Sequence, residues 1–116
     1  MGTHIKKAKD IHLYKGKTIA LAGIAITRKI AATRNRQPME FVTFEDETDL
    51  YECVMFPETY KTFGDLLNWE TLFLIQGKVE EAYSVYTVTI EKLISLTQMI
   101  KRIKETKTVL TESLSQ

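Results

Sequence analysis

Four cations, Arg28, Lys29, Arg34 and Arg36, fall within nine residues that contain no acid. Such a cluster suits a polyanion. Each cation that neutralises a phosphate releases counterions, which gives a salt-dependent, sequence-tolerant grip. The competing reading is a solvated loop kept charged for solubility. Phe41 and Thr43 follow at strand spacing. If Val42 and Phe44 point into a core, Phe41 and Thr43 point out of it, and an exposed ring is a stacking platform worth about 1–3 kcal/mol per base. Equally, Phe41 could pack under the C-terminal segment or under the loop before it. Tyr83 is a weaker platform of the same kind, since surface tyrosines in turns are common.

Bond-making chemistry has no such support. His4 and His12 lie near the N-terminus, far from the single cysteine, Cys53, which alternation places in or near the core. No zinc spacing, phosphate-binding loop, dinucleotide fingerprint or nucleophile triad can be written. No catalytic residue, metal or cofactor is therefore expected. The acids Glu45, Asp46, Glu47, Asp49 and Glu52 fit no calcium loop. They are expected to form a solvated hairpin that keeps a polyanion on the other side of the molecule.

Composition narrows the classes further. The chain has 116 residues, 44% apolar and 27% charged, with a formal net charge of +1. That length suits one domain. The charge excludes a globally basic surface, so any nucleic-acid contact must be local. One cysteine permits no internal disulfide and fits a reducing, cytoplasmic setting. No run approaches the roughly 18 apolar residues of a membrane span, and the N-terminus lacks the apolar stretch of a signal peptide. Met1-Gly2-Thr3-His4 reads as a leader left by cloning, which would make the chain a fragment.

The elements that must position these residues follow from periodicity. Residues 1–16, lysine-rich and poor in apolar side chains, are expected to be a mobile basic arm, with a turn at Lys15-Gly16-Lys17. Thr18–Ala32 alternates as a half-buried strand. Its apolar phase shifts from Ile19 and Leu21 to Ile24, Ile26 and Ile30, so a bend is expected at Gly23. Thr33–Pro38 is a polar loop, Met39–Glu45 a strand, Asp46–Asp49 a turn and Leu50–Phe56 a return strand. Pro57 suits a first helical position, and Tyr60, Phe63 and Leu67 make one apolar face, so a helix is expected over Pro57–Leu67. Trp69 follows as a lid on the core. Thr71–Glu80 and Val85–Ile94 are the last two strands, with a bulge at Gly77. Beyond Thr97 the spacing of Ile100, Ile103, Leu110 and Leu114 predicts a partly amphipathic helical tail over residues 97–116.

Three strands, a helix, two strands and a tail predict an all-β fold over residues 17–96. It is a five-stranded OB-fold, a Greek-key barrel with a helix between its third and fourth strands and a C-terminal helical tail. That fold binds oligonucleotides on the face of its second and third strands and through its first and last loops, although fold alone does not establish function.

The middle of the chain resembles a known family. Pro38-Met39-Glu40-Phe41-Val42-Thr43-Phe44-Glu45-Asp46 is similar to a strand of the OB domain in bacterial DNA polymerase III α subunits. Tyr51-Glu52-Cys53-Val54-Met55-Phe56-Pro57-Glu58-Thr59-Tyr60 and Leu74-Ile75-Gln76-Gly77-Lys78-Val79-Glu80 resemble its later strands, and Ala22-Gly23-Ile24 resembles its beginning. The likeness runs in order from about residue 17 to residue 96. It departs near Arg36, where the family usually has glycine, and at Thr48-Asp49, where it usually has Thr-Gly. The resemblance implies a domain that contacts single-stranded template DNA within a replicative polymerase, with Arg28, Lys29, Arg34, Arg36, Phe41, Thr43 and Tyr83 as the binding residues. Nucleotide transfer would then belong to a larger parent protein. Two alternatives stand beside it. One is a protein-interaction barrel that docks a replisome partner through Ile100 and Ile103. The other is an RNA-binding OB domain of the anticodon-reading kind, which shares Phe41.

Overall fold

A computed structural model describes residues 4–114. Of the expected leader Met1-Gly2-Thr3-His4, the first three residues lie outside them. The strands are β1 (Ile5–Lys6), β2 (Thr18–Ala32), β3 (Pro38–Glu45), β4 (Leu50–Met55), β5 (Leu72–Ala82) and β6 (Val85–Ser95). A 3₁₀ helix covers Ala8–Tyr14, and the α-helices are α1 (Pro57–Phe63), α2 (Leu66–Trp69) and α3 (Leu96–Leu114). The sheet order is β1-β2-β3-β4-β6-β5, and β5 pairs back onto β2. Strands β2 to β6 thus close a five-stranded barrel, with β4 and β6 parallel and the other barrel pairs antiparallel. Closure pairs each barrel strand with two others, and β1 covers part of the edge that the first half of β2 leaves open.

Closure depends on β2 serving two partners. Its first half pairs with β5 from Thr18↔Lys78 to Ile24↔Leu72, and its second half with β3 from Ile24↔Glu45 to Ala32↔Pro38. At Gly23 the strand passes close under Tyr51, whose hydroxyl donates to the Ala22 carbonyl at 2.8 Å. A Cβ on Gly23 would sit 2.5 Å from that hydroxyl, so a larger residue would have to displace Tyr51. The change of face, however, comes three residues later than the apolar spacing suggested. The register slips between Ala25 and Thr27, leaving Ile26 as the bulged residue. Before the bulge odd-numbered residues point inward; after it the even-numbered ones do. Ile24 and Ile26 are consequently exposed, and so is Ile30 where the strand runs past the barrel's end. The ladder does slip at Gly77, but the bulge is on the partner strand: Gln76 pairs with Lys92 and Gly77 with Ile90, so Glu91 on β6 is the extra residue. A Cβ at Gly77 would lie 2.6 Å from the Thr89 carbonyl oxygen.

The inward residues make one core of Leu21, Val42, Phe44, Cys53, Phe73, Ile75, Val79, Val88, Ile90 and Leu93. Phe44 stacks on Tyr51 at 5.7 Å and meets Phe73 edge-on at 6.0 Å. Full burial of side chains of this size contributes about 1.5–3 kcal/mol each. Burial pushes the Cys53 thiol and the Tyr51 phenol upward in pKa, so both stay neutral in the core.

Several expectations are corrected at the barrel's ends. The segment read as a mobile arm is docked. The 3₁₀ helix buries Ala8 and Ile11 in the core, β1 pairs in parallel with Ala20 and Leu21, and Gly16 N–H donates to the Val79 carbonyl at 2.7 Å. The acidic turn is what holds it. Asp46 Oδ2 accepts from Ala8 N–H at 2.7 Å, Asp46 Oδ1 accepts from the Thr48 hydroxyl and from the backbone N–H groups of Thr48 and Asp49, and Lys7 pairs with Glu47. The turn is solvated as expected, with Glu45, Glu47, Asp49 and Glu52 exposed, but through Asp46 and Glu47 it is also an anchor. At the opposite end, the expected single helix over Pro57–Leu67 is broken into α1 and α2. Tyr60, Phe63, Leu66 and Leu67 plug the barrel there, and Trp69, expected as a lid, is 77% exposed.

The hydrogen bonds on Asp46 hold its carboxyl below the ordinary carboxylate range against the opposing effect of burial. A depressed folded-state pKa means the stabilisation is complete above the unfolded pKa of about 3.9 and is lost as pH falls through the folded value. In thermal melts, Asp46→Asn should be less stable than the parent at neutral pH, and the gap should close below about pH 4. A constant gap across that range would show that Asp46 contributes through shape alone.

Candidate nucleic-acid interface

Bulge and register together decide where each candidate residue points. On the outer face of the barrel, cross-strand neighbours form rows: Lys29, Phe41 and Val54 across β2, β3 and β4, then Thr27, Thr43 and Glu52. The β4–β6 register extends these rows to Thr89 and Thr87. The ladder therefore brings Lys29, Phe41 and Thr43 together. Phe41 is 43% exposed, and α3 packs mainly on β5 and β6, so the ring does not lie under the tail. Thr43 donates its hydroxyl to Glu52, with 2.9 Å to either carboxylate oxygen.

Arg28 goes the other way. It pairs with the core residue Val42 and so points inward, towards Glu40, which is fully buried. Arg28 Nε donates to Glu40 Oε2 at 2.5 Å and Nη2 donates to Oε1 at 3.2 Å, a two-pronged pair that matches the guanidinium fork to the carboxylate. Nη1 donates to the Leu67 carbonyl at 3.2 Å and to Asn68 Oδ1 at 2.9 Å. The side chain thus ties β2 and β3 to α2 at the plugged end of the barrel. Its adjacency to Lys29 in the sequence does not make one patch, because neighbours on a strand face opposite ways.

The loop between β2 and β3 is held by its own backbone. Thr33 N–H donates to the Gln37 carbonyl at 2.9 Å, Arg36 N–H donates to the Thr33 carbonyl at 2.9 Å, and the Thr33 hydroxyl accepts from Gln37 N–H at 3.2 Å. Arg34, Asn35 and Arg36 are left exposed at the tip. Among the described residues, Lys29, Arg34 and Arg36 have no ion pair. Arg36 sits at φ 60°, the left-handed region that costs a non-glycine residue about 1–2 kcal/mol. Tyr83 and Ser84 sit at φ 54° and 65° and form the two-residue turn between β5 and β6. The Tyr83 ring is fully exposed. The parallel β4–β6 register sets this turn at the end of the ladder that carries the acidic turn, and the Arg34–Arg36 tip at the other. The structure therefore does not bring Tyr83 to the cationic loop.

Two residues were not singled out from the sequence. Glu40 shares the parity of Val42 and Phe44, and a charged residue at a core position demands a buried partner, so alternation carried that signal. Phe56 follows Val54 on the outer face and is 47% exposed. Among the described residues no group of His, Cys, Asp and Glu is arranged to hold a metal ion, and no helix is long and apolar enough to cross a membrane.

Residues 19–96 match the family model described as OB-fold nucleic acid binding domain. The chain is 28% identical over 88 residues to the DNA polymerase III subunit alpha of Halalkalibacterium halodurans, a match that covers 75% of this chain and 8% of that protein. It superposes on asparaginyl-tRNA synthetase from Pyrococcus horikoshii with a TM-score of 0.62 at 19% identity, over 80% of this chain and 22% of the other. On the mitochondrial single-stranded DNA binding protein Rim1 of S. cerevisiae the TM-score is 0.55 at 12% identity, over 71% and 95% of the two chains. The two structural likenesses show the shared fold.

Glu40 is fully buried while Arg28 is partly exposed, so removing the cation strands a buried carboxylate, a loss of up to about 3–5 kcal/mol. Urea unfolding should show a loss of that size for Arg28→Met, and most of it should return in Arg28→Met/Glu40→Leu. A loss under about 1 kcal/mol in the single variant would mean that Arg28 does not hold the barrel's end.

Proposed function

This chain belongs to the family of OB-fold nucleic acid binding domains, and on that premise we propose that it binds single-stranded DNA as the template-contacting module of a bacterial DNA polymerase III α subunit. The observation that carries the reading is the row of Lys29 and Phe41 on the outer face, flanked by the exposed cations of the Arg34–Arg36 tip, which have no ion pair among the described residues. A free cation beside an exposed ring offers one nucleotide both a phosphate contact and a stacking surface. The net charge of +1 is then no obstacle, because the cations are local to this face and its loop, and Asp46 and Glu47 at the far end are engaged in holding the N-terminal segment. The likeness to the polymerase subunit supports such a protein as the parent. The domain contributes grip and alignment of the template, and bond formation belongs elsewhere in such a protein.

Within this reading Lys29, Arg34 and Arg36 hold phosphates, Phe41 stacks a base, Thr43 borders the ring, and Tyr83 offers a separate stacking surface beyond the other end of the ladder. Arg28 acts by fixing the strand from which Lys29 projects.

One observation favours a second reading. Helix α3 buries none of its residues and exposes Ile100, Ile103 and Leu110. Between it and the end of β6 lies a groove of about 650 Å³, lined in part by Leu66, Ile94, Met99 and Ile103. This surface suits a protein partner, and it shares no residue with the β2–β4 face. Salt separates the two readings, since apolar docking lacks the counterion term.

Fluorescence anisotropy of a labelled single-stranded DNA, titrated at low and moderate salt, tests the proposal. Binding should weaken steeply with salt, and Arg34→Ala/Arg36→Ala should flatten the slope of log K against log salt by about 1.4, two contacts at ~0.7 each. An RNA oligomer of the same sequence should bind no tighter; a clear preference for RNA would point to the anticodon-reading kind of domain. No binding at low salt would rule out DNA contact by this chain.

A further inference from the structure

We propose that Phe56 is a second base-stacking residue, which with Phe41 makes a two-base site on the outer face of β3 and β4. The inference rests on the single-stranded nucleic-acid reading above and specifies how that ligand lies.

Phe56 comes directly after β4, and its backbone is still extended, with φ −71° and ψ 165°. Strand alternation therefore continues through it and sets it on the same face as Val54, two residues earlier. Val54 is the cross-strand partner of Phe41. The two rings are thus diagonal neighbours, with side chains about 7–8 Å apart at their bases, still within reach of each other for aromatic residues. Both stay substantially exposed, 43% for Phe41 and 47% for Phe56, while Val54 between them is buried and forms an apolar floor. Two half-exposed phenylalanines over such a floor form an apolar patch that calls for a partner with flat, weakly hydrated faces.

Charge orders the same rows. Lys29 flanks Phe41 on the β2 side and has no ion pair among the described residues. Glu52 flanks Thr43 on the β4 side and accepts its hydroxyl proton. A phosphate is attracted to the first position and repelled from the second. The sugar-phosphate chain therefore follows β2 and the Arg34–Arg36 tip, and its bases point across β3 towards β4, where the second ring waits. Cation, aromatic ring and apolar floor follow one another in the order that phosphate, first base and second base require.

The test uses the whole chain and compares a labelled oligothymidylate with an abasic oligomer of the same length. Phe56→Ala should weaken oligothymidylate binding about 5- to 100-fold, Phe56→Tyr should restore it, and the abasic oligomer should be insensitive to both. Phe56→Leu, which keeps the apolar volume without the ring, stands in if the alanine variant loses its circular dichroism spectrum. Wild-type affinity in Phe56→Ala and Phe56→Leu, alongside weakened binding in Phe41→Ala, would overturn the second stacking position and leave the nucleic-acid reading standing. Equal losses on the abasic oligomer would also overturn it, because the ring would then act on something other than a base. Failure of the wild-type chain to bind oligothymidylate would overturn both.

Discussion

One strand must satisfy two ladders, and the rest of the molecule follows from how it does so. β2 pairs with β5 along its first half and with β3 along its second, and Ile24 belongs to both. A regular strand cannot keep the same parity inward around so sharp a coil. The slip at Ile26 absorbs the strain and inverts the facing of everything beyond it. Arg28 is thereby turned into the barrel's end and Lys29 out onto its surface. Without the bulge Arg28 would face solvent, Glu40 would be buried without its cation, and Lys29 would leave the row that contains Phe41.

The two halves of the candidate interface are stabilised in different ways. The strand face is rigid because its backbone is a ladder on a packed core and its far end is locked by Arg28, Glu40 and Asn68. The Arg34–Arg36 tip is short and held by its own hydrogen bonds, with Arg36 in an unfavourable backbone region. A non-glycine residue kept in that conformation gives up stability to carry a side chain there, in this case a guanidinium at the tip. At the other end Asp46 and Glu47 hold the N-terminal segment, so the molecule separates an end with a structural acidic turn from one with an exposed cationic tip.

Much of this was legible in the residues. Alternation located the barrel strands, the turn residues separated them, and Val42 and Phe44 oriented Phe41 correctly. What failed did so for physical reasons. The change of face is expected at Gly23 because glycine usually marks such a bend, but Gly23 makes room for Tyr51, and the slip falls on an isoleucine that local sequence does not mark. The four cations looked like one patch because chain proximity hides facing. The lysines of the N-terminal segment concealed a docked helix, since only Ala8 and Ile11 are buried and the contacts that hold it come from Asp46 and Thr48, far along the chain. Trp69 looked like core from its type alone, although it ends a one-turn helix at the surface.

The central claim is that the face made by β2, β3 and β4 receives single-stranded nucleic acid. Amide chemical-shift mapping of the labelled chain, titrated with unlabelled oligothymidylate, tests it most directly. The account predicts saturable shifts at Lys29, Phe41, Thr43, Val54 and Phe56 and through the Thr33–Gln37 loop, with α3 and the Asp46–Asp49 turn unmoved. Shifts confined to α3 and the groove beside it, with the β2–β4 face silent, would contradict it.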